Sequence, residues 1–81
     1  MPIPLYSIWR HHTNWRLATI QRMEMGDQSD LHYSLTFSCS EKDAHRIRES
    51  LLSHLKLVSQ IIDTSKEEDI FVYCFDFFKW K

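Results

Sequence analysis

The sequence predicts an α/β fold: a small α-β-α-β module with a two-strand sheet, a long crossover helix and a sheet extended or covered by dimerisation. Three observations predict it. Leu31–Ser38 (LHYSLTFS) alternates, with Leu31, Tyr33, Leu35 and Phe37 on one side and His32, Ser34, Thr36 and Ser38 on the other, the period of two of a half-buried strand. Ala44, Ile47, Leu51, Leu55, Val58 and Ile62 recur at three- and four-residue steps, which at about 100° per residue form one helical stripe. Ile70–Trp80 (IFVYCFDFFKW) is dense in β-branched and aromatic residues.

With 81 residues the chain makes one domain, in the range where a single core is marginal and oligomerisation is a common remedy. Residues 1–5 are expected to be an N-terminal arm and residues 6–81 the single α/β module. The arm holds both prolines and cannot open a regular element. Ser7–Met25 has an ambiguous period. Trp15, Leu17 and Thr19 alternate like a strand, whereas Trp9, His12, Arg16 and Ile20 lie along a helical row. Length decides for a helix, since the run far exceeds a usual strand of about 5–6 residues; Thr13 and Asn14 leave open a shorter helix that begins with them. Gly26, the only glycine, suits a helix end, and 26–30 (GDQSD) reads as a loop.

Ser40-Glu41-Lys42-Asp43 has the chemistry of a helix start. The serine hydroxyl caps a free N–H, and the acids suit the positive end of the dipole. Leu52, Leu57 and Ile61 widen the apolar arc beyond the stripe. Leu51 and Leu55 are expected to point into a core against Leu35, Phe37 and the last strand. Residues 63–69 are a polar connector in which Ser65 and Glu68 have cap spacing. The final strand is apolar on both faces, Ile70, Val72 and Cys74 on one and Phe71, Tyr73, Phe75 and Phe77 on the other, so both must be covered. A helix of 22 residues runs about 33 Å, enough to return the chain for parallel pairing with a right-handed crossover.

Composition excludes several function classes. Hydrophobic content of 43% and aromatic content of 14% exclude a disordered chain. The net charge of −1 provides no general pull toward nucleic acid or an anionic membrane. No apolar stretch is long enough to span a bilayer, and the N-terminus lacks signal-peptide regions, so a cytoplasmic protein is expected. Cys39 and Cys74 read as small core thiols rather than a bridge.

Catalytic chemistry is not expected. Adjacent His11 and His12 diverge by about 100° on a helix, and His45 and His54 lack the spacing of a two-histidine site. No metal or cofactor is therefore expected. One glycine cannot build a phosphate-binding loop, and no nucleophile sits in a recognisable turn. Arg10, Arg16 and Arg22 with Trp9 and Trp15 have the composition of a nucleic-acid clamp, but inward tryptophans and solvated arginines account for the pattern, and direct nucleic-acid binding is not expected. Asp76 stands between two phenylalanines. It either faces water at a strand end or pairs with a cation, with Arg10, His12, Arg16 and Arg46 the candidates.

The series HHTNWR (His11–Arg16), DLHYSLTFSCSEKDAHRIRESLL (Asp30–Leu52) and SKEEDIFVYCFDFF (Ser65–Phe78) resembles the C-terminal part of a bacterial family, the domain-of-unknown-function 4423 family, common in predatory bacteria. The resemblance covers roughly Tyr6 to Trp80. It implies a module from proteins regarded as transcriptional regulators, whose N-terminal helix-turn-helix-like region is missing from this chain. It also implies a helix over His11–Met25, and it brings no catalytic or binding residues.

The expected function is thus a non-enzymatic interaction and dimerisation module, a homodimer or the partner of another protein or DNA-binding region. The alternative is a small-ligand or signal-sensing domain with an aromatic cleft. Trp9, Trp15, Phe71, Tyr73, Phe75 and Phe77 are the interface or cleft candidates. Asp76, Arg16 and His12 are the candidate polar partners.

Overall fold

The computed structural model describes residues 5–80, and most of the expected arm lies outside them. Two helices make up the regular structure, α1 (Leu5–Met25) and α2 (Glu41–Thr64). Among the described residues there is no strand. The fold is all-α, and the expected α/β module with its two-strand sheet and parallel crossover is corrected accordingly. Both Leu31–Ser38 and Ile70–Trp80 are non-helical and unpaired in any ladder. The physical reason is that alternation orients side chains but supplies no hydrogen-bond partner. A strand exists only beside another strand, and a sheet of two is marginal in water.

Local chemistry set the helices. Ser40 takes an extended conformation (φ −72°, ψ 158°) and its hydroxyl accepts from the Asp43 N–H at 3.0 Å. The Ala44 N–H donates to the Ser40 carbonyl at 2.9 Å as the first intrahelical bond. Glu41 and Asp43 occupy the first turn, where the helix dipole favours them. The helix ends at Ser65, whose N–H donates to the Ile62 carbonyl at 3.1 Å. Beyond it, the connector with the Ser65 and Glu68 cap spacing forms no further helix.

In α1, Thr13 and Thr19 donate their hydroxyls to the carbonyls of Trp9 and Trp15, each at 2.9 Å. Thr13 therefore sits inside the helix, bonding back one turn. Gly26 closes α1 at φ 68° with its N–H on the Met23 carbonyl, a conformation open to glycine without cost.

The chain divides into two compact units, Met1–Ser34 with Val72–Phe75 and Leu35–Phe71 with Asp76–Lys81. In the second unit the α2 stripe is real but shallow. Ala44, Ile47, Leu51, Leu55 and Val58 are half-buried, and Ile62 is 64% exposed. No described side chain is fully buried, so the expectation of Leu51 and Leu55 in a closed core, with the cysteines as core thiols, is also corrected. Cys39 is exposed and Cys74 half-buried, both as free thiols.

Candidate interaction surface

The first unit gathers four of the expected aromatics, Trp9, Trp15, Tyr73 and Phe75. Along α1 the rings of Trp9, His11, His12 and Trp15 touch in succession. Trp9 and His12 are tilted at 6.2 Å, His11 and His12 lie edge-on at 5.9 Å, and His11 and Trp15 are near-perpendicular at 6.1 Å. The Trp15 indole Nε1–H donates to His11 Nε2 at 3.2 Å, possible because residues four apart on a helix are neighbours. Trp9 is 62% and Trp15 40% exposed. The expectation of inward tryptophans is therefore corrected: with no fully buried layer beneath α1, the indoles remain on the surface.

Arg16 is where α1 meets the C-terminal segment. Its guanidinium donates to the His12 carbonyl at 3.1 Å and to the Phe75 carbonyl at 2.9 Å. A guanidinium has five donors in a rigid fork, which suits it to hold two carbonyls at once. Beside this, Tyr73 and Phe75 pack edge-to-face at 6.3 Å. His12 contributes to the site through its backbone carbonyl and its ring contacts. Asp76 is exposed and engaged in an interaction of its own.

The second unit holds Phe71, Phe77 and Asp76. Phe77 stacks on Phe37 with ring centroids 6.4 Å apart and planes at 19°. Close by in sequence, the Lys79 ammonium donates to Glu41 at 3.2 Å at the start of α2. Phe71 is 88% exposed. The six aromatics assigned to one surface thus belong to two units, four in the first and two in the second.

Sequence reasoning missed one polar constellation. Arg22, in the last turn of α1, donates to Asp30 through Nε and a terminal nitrogen and to Asp27 at 3.0 Å. Asp27 in turn accepts from the Ser29 N–H at 2.9 Å and the Ser29 hydroxyl at 2.7 Å. The Ser29 hydroxyl and N–H hold the Asp27 carboxyl below its ordinary value. The bond from Arg22 does the same for Asp30, and Asp30 raises Arg22 in return. The signal was legible in hindsight: Asp-x-Ser after a helix-ending glycine is an Asx turn.

Two further histidines lie near carboxylates. His32 lies 3.7 Å from Asp30, and His45 lies 3.8 Å from Glu49 one turn on. Among the described residues no three His, Cys, Asp or Glu side chains come together as a metal site. Among the described residues no helix is long and apolar enough to cross a membrane. Compared with family models, curated proteins and solved structures, the chain has no match.

Proposed function

We propose that this chain is a non-enzymatic interaction and dimerisation module acting in the cytoplasm, a homodimer or the regulatory partner of a DNA-binding region. The observation that carries the reading is exposed aromatic and aliphatic area. Trp9, Phe71 and Tyr73 present rings to solvent, with Leu52, Leu57, Ile61 and Phe78 also exposed. Large apolar side chains are thus left exposed in each of the two units; where such side chains gather they mark contact sites, and aromatic residues are enriched in the centres of such contacts.

The alternative sensing domain draws support from Trp9, Trp15, Tyr73 and Phe75 sharing one unit. An inward carboxylate would favour it, but Asp76 faces solvent. Light scattering decides between the readings. The interaction module gives a dimer mass at micromolar concentration, and Phe71→Glu lowers the dimer fraction. A monomer whose tryptophan emission responds to small aromatic or aliphatic ligands favours sensing instead.

A further inference from the structure

At the end of α1 two carboxylates share one guanidinium. Arg22 donates through Nε and a terminal nitrogen to both oxygens of Asp30, and through that same terminal nitrogen to Asp27 at 3.0 Å. The other Asp27 oxygen is taken by the Ser29 N–H and hydroxyl. One guanidinium against two carboxylates leaves this cluster a single charge negative. All of it lies in residues 22–32, inside the first unit. The loop's own backbone contributes the Gly26 N–H on the Met23 carbonyl and the Asp30 N–H on the Asp27 carbonyl. What ties Asp30 back to the helix is the Arg22 fork.

His32 stands where the missing cation would. Its Nε2 is 3.7 Å from Asp30 Oδ2, the oxygen that also takes the Arg22 Nε–H. That is beyond an N–H···O bond, which needs about 2.7–3.2 Å. A neutral imidazole has one donor and one acceptor, whereas an imidazolium has two donors and a positive charge. Its bond to a carboxylate closes to about 2.7–2.9 Å, so a shift of about 1 Å turns a near contact into a second arm on Asp30. The His32 side chain is 32% and that of Asp30 20% exposed, so the pair is screened less than two charges on open surface. Arg22 on α1 and His32 beyond the loop favour the ionised form of Asp30, and Asp27 within the loop opposes it.

We infer that residues 26–32 form a pH-dependent latch on the end of α1, in which ionised Asp30 is held by Arg22 and a protonated His32 closes a second arm on the same carboxylate. The path of the chain out of Gly26 toward Leu31 is then fixed most firmly where carboxylates are ionised and imidazoles protonated, about pH 4.5–6. In stronger acid Asp30 loses its charge and both arms open. At neutral and higher pH the His32 arm opens and the Arg22 arm remains. The latch is a property of one chain and does not depend on association.

The test is loop order against pH, read on the full chain at fixed concentration from the heteronuclear NOE of the Asp27–Asp30 amides. In the parent, order should peak in the mildly acidic window and fall on both sides. His32→Gln should flatten the neutral side and keep the acid side, and Asp30→Asn should flatten both. Salt near 1 M, where screening acts beyond about 3 Å, should flatten the neutral side of the parent without any substitution. The neutral-side change is up to about fivefold in the ratio of closed to open loop, the scale of a partly exposed ion pair. Order that falls only in acid, alike in the parent and His32→Gln, overturns the second arm. Order indifferent to pH throughout overturns the latch as a whole.

Discussion

Replacing Ser40 by alanine removes one side-chain bond and leaves the rest of the α2 start in place. The hydroxyl that accepts from the Asp43 N–H at 3.0 Å is lost, while the backbone bond from the Ala44 N–H to the Ser40 carbonyl is kept. Asp43 is exposed, so its freed N–H turns to water and incurs no burial penalty. The loss is then the ordinary value of a serine cap, about 1 kcal/mol. For a chain of this length that corresponds to a fall of about 4–8 °C in melting temperature. The assay is thermal melting followed by helical ellipticity, with all variants at one protein concentration. Ser40→Gly should lose only a few tenths of a kcal/mol. Ser40→Asp keeps the acceptor and adds charge at the positive end of the dipole, and should match or exceed the parent. An alanine variant as stable as the parent, or an aspartate variant as damaged as alanine, refutes the assignment of Ser40 as the cap.

Two further outcomes follow from the end of α1. Asp27 and Asp30 are held below their ordinary values by Ser29 and Arg22, so their contribution is present above the usual carboxylate range and lost as pH falls through the lowered folded values. The melting temperature of the parent should therefore fall more steeply below about pH 4 than that of Arg22→Gln, and parallel profiles would dismiss the clamp. Gly26→Ala meets no neighbouring atom but must hold φ 68°, so it should cost about 1–2 kcal/mol in a denaturant titration, with Gly26→Asn less damaging.

The parts legible in the sequence were those whose causes lie within a few residues. Ser40, Glu41 and Asp43 act on the first turn of α2, and Gly26 acts on the last turn of α1, so spacing alone sufficed to place both. The strands were not legible in that sense. The alternation at Leu31–Ser38 and the aromatic run at Ile70–Trp80 speak to side-chain direction, but a strand needs a distant partner that no local pattern encodes. Grouping Phe71, Tyr73, Phe75 and Phe77 on one face depended on that missing ladder, and Phe71 and Phe77 belong to a different unit from Tyr73 and Phe75. The pairing of Asp76 with a cation was left open for the same reason. Arg16 was a candidate partner because of its charge. It also donates to the Phe75 carbonyl, a backbone group to which side-chain patterns are blind.

The α2 stripe separates direction from depth. Its periodicity named the residues that turn away from water, and five of the six are the half-buried ones. Periodicity carries no information on how thick the covering layer is, because that depends on what packs above the stripe. Full burial of a leucine or isoleucine is worth about 1.5–3 kcal/mol, and half-buried positions realise only part of it. Ile62, at the C-terminal end of the stripe, realises least. The unrealised remainder lies at these positions and at the more exposed Leu52, Leu57 and Ile61, so a partner that covered α2 would gain from burying both sets. A helix with its apolar face already aligned loses little further backbone freedom on contact, and that is the physical sense in which a half-covered stripe favours association.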